Sequence, residues 1–185
     1  MLFTENFQTD HEIILRFLDV IVGGTSILSN NKIANPGFFI MAHTFMQEFV
    51  EEGFFKKEEL LIKALEDNGF PLDDGPIGGI RADQVKCRDA AEHMLNASKG
   101  WQAGDEEARG EIGWASSEYT STLRQHLERL KSRALPLLEQ NISPDDEHNI
   151  SEGLNKIAFE KSTKNDGNKY AKLIESLKDE LRTWK

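Results

Sequence analysis

Residues 119–138 read YTSTLRQHLERLKSRALPLL, and Tyr119, Leu123, Leu127, Leu130, Ala134, Leu137 and Leu138 recur at every third or fourth position or adjacent to one another. That spacing fits the 3.6-residue period of an α-helix and puts these side chains on one face, with His126 among them. The stretch predicts the core stripe of a long helix from about Asp105 to Gln140. A histidine on such a stripe is more often a hydrogen-bonded core residue than a metal ligand.

The same period governs the rest of the chain, and no alternating stretch of strand character competes with it. Upstream, a first helix from about Asn6 to Leu28 carries His11, Ile14, Leu15, Leu18, Ile21 and Val22, is loosened at Gly23-Gly24, and ends in the polar turn Ser29-Asn30-Asn31. A second, from about Pro36 to Asp67, aligns Met46, Val50, Phe54, Glu58, Leu61 and Leu65 and stops at Asn68-Gly69. After the turn Asp73-Asp74-Gly75-Pro76, with Pro76 in a first-turn position, a third helix aligns Ile77, Ile80, Gln84, Cys87, Ala91 and Met94. Beyond the Ser143-Pro144 cap, two shorter amphipathic helices carry Leu154, Ile157 and Ala158, then Tyr170, Ile174, Leu177 and Leu181, with Lys161 to Asn168 as the turn between them. The expectation is one all-α domain over residues 1–185. An up-and-down four-helix bundle forms its core (about 6–141), and two additional helices follow (about 143–184).

Composition narrows the function. A chain of 185 residues can bury a sufficient core as a single domain. Its net charge of −10 argues against nucleic acid and against anionic membranes as partners. No apolar run approaches the roughly 18 residues of a membrane span, and the first residues do not resemble a secretory signal, so cytoplasmic residence is expected. One cysteine, Cys87, forms no internal disulfide and no Cys-Cys metal motif, and reads as a small core residue. Gly75 to Gly79 lacks the Lys-Ser/Thr ending of a phosphate loop.

Metal sites in helical bundles are built from inward-facing His and Glu, and two ligands on one helix lie three or four residues apart. Position 54 and Glu58 have that spacing, as do His126 and position 130, with His11 on the first helix and Gln84 on the third. His43 lies about 16 Å along the axis from position 54, too far to join them. His93 faces away from Gln84, and His148 belongs to a polar helix start beside Asp145, Asp146 and Glu147.

The order of these segments resembles the hemerythrin-like (HHE cation-binding) family. The resemblance rests on Asp10-His11, Phe54-Phe55-Lys56-Lys57-Glu58-Glu59, Gly75-Pro76-Ile77, Asp83-Gln84 with Arg88, His126-Leu127-Glu128-Arg129-Leu130, Phe159-Glu160 and Gly167-Asn168-Lys169-Tyr170. It implies the family's bundle and six ligands to a di-iron centre. His11, Glu58 and His126 match ligand positions, whereas Phe54 and Gln84 stand where histidines are expected and Leu130 where a carboxylate is expected. A di-iron pair bridged by two carboxylates lacks one of them here, and Gln84 is a weak neutral donor.

The expected function is therefore a non-enzymatic binding or regulatory protein with an eroded di-iron site, no catalytic residues and no cofactor. In that case buried Glu58 needs a hydrogen-bonded histidine, and Phe54 and Leu130 fill the vacated volume. The alternative is a metalloprotein that keeps one iron ion on His11, Glu58 and His126 for oxygen, nitric oxide or iron handling. A third reading is an interaction module that forms a homodimer through an exposed apolar helix face.

Overall fold

Helical periodicity without competing alternation gives an all-α chain. In the computed structural model six helices and no strand are found among the described residues, which are 2–28, 33–71, 73–74, 77–162 and 168–184. They are α1 (Leu2–Ile27), α2 (36–67), α3 (Ile80–Gln102), α4 (108–141), α5 (Pro144–Ser162) and α6 (Lys169–Thr183). The expected turn at Ser29-Asn30-Asn31, Gly75 and Pro76 of the Gly-Pro-Ile segment, and residues 163–167 between α5 and α6 lie outside the described residues. The start of α1 is one turn earlier than expected, because Phe3 and Phe7 extend its apolar stripe and both are buried.

Each of the two longest helices contains a π-helical segment. In α2 it spans Met46–Phe54 and closes with the Phe55 amide donating to the Val50 carbonyl. Lys161 of α5 reaches into it and donates to the Glu48 carbonyl at 3.2 Å. A side chain on Gly53 would occupy the place of the Lys161 ammonium, so the glycine makes room for it. In α4 the segment is Leu130–Ala134, just before Pro136. Proline has no N–H for the Ser132 carbonyl and its ring crowds that group, which a wider turn relieves.

The helices form a packed bundle in which α3 lies along α4, α2 along α3, and α1 along α4. The C-terminal helices are part of its core and not a later layer on a finished one: α6 packs on both α1 and α2, and α5 on α1 and the second half of α2. Ile150, Leu154, Ile174, Leu177 and Trp184 belong to the same buried cluster as Phe17, Phe38 and Phe45, and the Trp184 ring lies 4.8 Å from that of Phe38.

The Gly23-Gly24 pair does not interrupt α1. A Cβ on Gly24 would lie 2.6 Å from the Phe38 ring, so the glycine permits close approach of α2. Two residues assigned to core faces are exposed: Val22, at 42%, sits beside buried Ile21 at the edge of the stripe, and Ala158 lies at the rim of α5. Among the described residues no helix is long and apolar enough to cross a membrane.

Candidate functional site

Glu58 reaches the bundle interior because it continues the stripe of Val50, Phe54 and Leu61 on α2. From α3, Asp83 and Gln84 point inward one turn before Cys87, and from α4, His126 and Arg129 share a face at a spacing of three. These side chains meet. His126 Nε2 lies 2.7 Å from Glu58 Oε2 and its Nδ1 lies 3.1 Å from Asp83 Oδ2. Gln84 Nε2 donates to Glu58 Oε1 at 3.3 Å, and Arg129 Nη1 donates to Asp83 Oδ2 at 2.5 Å. The Phe55 ring closes one side, edge-on to the imidazole at 5.5 Å.

Burial makes this cluster electrostatically demanding. The His126 and Glu58 side chains are 0% and 1% exposed, and Asp83 and Arg129 are 10% and 23% exposed. Burial by itself pushes the His126 imidazole down, but the Glu58 charge and hydrogen bonds to Asp83 and Glu58 outweigh it and raise it to about 9. At neutral pH the ring is an imidazolium donating from both nitrogens, one to each carboxylate. With Arg129 it balances the two carboxylates, which is how buried charges are tolerated.

Gly79 holds the outer end of the cluster. Its φ of +94° ends the preceding turn, and a Cβ there would lie 2.5 Å from Arg129 Nη1. The Cys87 thiol is pushed well up by burial and then by the charges of Asp83 and Glu58, which keep it protonated.

The six positions singled out in the sequence divide into those that join this cluster and those that do not. Glu58, His126 and Gln84 are bonded to one another through Glu58. Phe54 and Leu130 are buried beside it, one turn before Glu58 and one turn after His126, and Phe54 packs edge-on against Phe7 at 5.8 Å. His11 is half-buried on the side of α1 that senses Lys131 and Glu128 of α4, and burial, then Lys131, lowers its pKa. No hydrogen bond joins it to Glu58 or His126. Its neighbour Asp10 turns toward α2 instead and pairs with Lys57 at 2.7 Å.

The other histidines stand apart. His43 is half-buried, and burial lowers its pKa. His93 lies against the Trp114 ring, and His148 pairs with Glu152 on the exposed face of α5.

This arrangement does not fit a di-iron centre. Both nitrogens of His126 face carboxylate oxygens, Phe54 and Leu130 offer no donor, and among the described residues no three His, Cys, Asp or Glu side chains are grouped to hold a metal ion. Sequence reasoning missed the roles of Asp83, Arg129 and Gly79. The spacing of His126 and Arg129 on one face was a usable signal, but their common partner lies on another helix, where single-helix spacing is silent. No family model, curated protein or solved structure matches the chain.

Proposed function

We propose that this chain is a hemerythrin-like up-and-down bundle whose di-iron centre has given way to a buried ion-pair network, and that it acts as a binding or regulatory protein and not as an enzyme. One observation carries the reading. His126, at a position where the resemblance implies an iron ligand, has both ring nitrogens turned to carboxylate oxygens, Glu58 at 2.7 Å and Asp83 at 3.1 Å. Further support comes from Phe54 and Leu130, which fill ligand positions of the resemblance with buried apolar side chains.

The test is metal analysis of protein purified from iron-supplemented cells. The expected result is a colourless protein with less than about half an iron per chain, because half of the donor set that a di-iron pair requires is missing. A charge-transfer band, or two irons per chain, would overturn the proposal. One tightly held ion lost in His126→Ala would instead establish the mononuclear alternative.

A further inference from the structure

Met46, Val50, Phe54 and Glu58 stand at steps of four along α2, and all are buried, at 2%, 1%, 1% and 1% exposed. An uninterrupted α-helix turns by about 100° per residue, so the steps from Met46 to Glu58 would carry Glu58 roughly 120° around the axis and away from the core. The π-helical segment Met46–Phe54 absorbs the difference. Bonds from i to i+5 take one more residue into the turn than bonds from i to i+4, which removes about 100° and leaves Met46 and Glu58 within roughly 20° of one line. Glu58 therefore reaches His126 because α2 is wider just before it.

The π form is rare because the α form bonds the same backbone better, so a wide turn needs something to hold it. Here the support comes from α5. Lys161 donates to the Glu48 carbonyl inside the segment at 3.2 Å, its ammonium lies 5.8 Å from the rings of Phe49 and Tyr170, and Gly53 leaves it room. Lys57, one position before Glu58, is kept toward α1 by Asn6 at 2.9 Å and Asp10 at 2.7 Å. If the segment tightened to α, position 57 would take the place that Glu58 now holds.

We propose that α5 controls the buried pair through Lys161. With the ammonium seated on the Glu48 carbonyl, α2 keeps the wider turn that points Glu58 at His126. When the ammonium is withdrawn, the segment tightens, Glu58 turns out of the cluster, and Lys57 leaves Asp10 and turns in. Lys161 is thus a positioning residue for Glu58, and the docking of α5 is coupled to the charge state of the bundle centre. The inference uses the geometry of the pair and holds whatever became of the metal.

The imidazole of His126 reports on the coupling, because the Glu58 charge beside it helps to raise it to about 9. Histidine NMR titration of the full chain, with the signal assigned through His126→Gln, follows it. In Lys161→Met and in Gly53→Ala, which displaces the same ammonium, the His126 pKa should fall by about one pH unit or more, a tenfold loss of proton affinity. Leu154→Ala, which opens a cavity under α5 and leaves Lys161 seated, should keep it near the wild-type value although the chain is less stable. Deletion of Gly53 removes the extra residue, so α2 can run as an unbroken α-helix with Glu58 still facing inward. Combined with Lys161→Met, the deletion should restore the raised pKa.

A His126 pKa unchanged in both Lys161→Met and Gly53→Ala would overturn the proposal, and so would an equal fall in Leu154→Ala. Failure of the deletion to restore the pKa would show that the wider turn does not set the direction of Glu58. If Lys161→Met does not fold by itself, it should fold once Gly53 is deleted, because the Glu48 carbonyl then has its donor within the helix; a combined variant that stays unfolded would overturn the proposal as well.

Discussion

His126 Nε2 stands 2.7 Å from Glu58 Oε2, with the two side chains 0% and 1% exposed, so α4 and α2 are joined through the bundle centre by an ion pair that water does not reach. Asp83 takes the other ring nitrogen and ties in α3. The consequences of this pair can be measured.

Stability should fall on the alkaline side. The imidazole titrates at about 9 in the folded chain against an ordinary 6.5, so folding takes up a proton between those values. The group's contribution is complete below 6.5 and is lost as pH rises through 9, a change of roughly 3 kcal/mol. His11 and His43, lowered by burial, work oppositely: their contribution is present above 6.5 and declines as pH falls through it. Urea unfolding of wild type and His126→Gln across this window checks the sign, and an alkaline slope retained in the variant would show that His126 is not its source.

Breaking the pair on one side should cost more than removing it whole. Glu58→Leu or His126→Leu alone leaves a buried charge facing an apolar side chain, at about 3 to 5 kcal/mol each. The double variant should lose clearly less than the two costs added together, because neither charge remains stranded. Additive losses would mean that the two residues do not interact in the folded chain.

Phe54→Ala and Leu130→Ala should each cost roughly 2 to 5 kcal/mol, since both side chains are buried beside the cluster and their removal leaves a cavity. Thermal or urea unfolding measures it. A cost under about 0.5 kcal/mol at either position would contradict its burial.

The combined change Phe54→His, Gln84→His and Leu130→Glu restores the donors that the family resemblance implies. Without metal it should lower stability by several kcal/mol, through a new buried carboxylate and lost apolar packing. Ferrous iron or cobalt should recover part of that loss by binding only the folded state. A folded variant whose melting temperature ignores both metals would show that positions 54, 84 and 130 do not converge on one site.

Lys161→Ala should destabilise the chain by about 1 to 3 kcal/mol, because the Glu48 carbonyl loses its donor and the rings of Phe49 and Tyr170, each 5.8 Å from the ammonium, lose their cation. Gly53→Ala displaces the same ammonium, so the two changes together should cost little more than the larger one. Independent costs in denaturant melts would separate Gly53 from the lysine.

The sequence by itself determined the helices. Apolar side chains at every third or fourth position in residues 119–138, and in the stripe from Met46 to Leu65, have no other way to bury together, and local period needs no knowledge of partners. It also brought Glu58, Gln84 and His126 to notice, because a polar residue within an apolar stripe stands out. The tertiary structure alone decided what satisfies them. Asp83 meets both His126 and Arg129, and Gly79 lies against Arg129, through contacts 43 to 50 positions apart in the chain, which no local spacing encodes.

Packing also decided that Asp10 and not His11 faces α2, since the turn of α1 about its axis is set by Phe3 and Phe7 locking into the core. The place of α5 and α6 was likewise fixed by packing. Their amphipathic pattern requires a surface to cover, and only the assembled bundle shows that the surface is the side of α1 and α2.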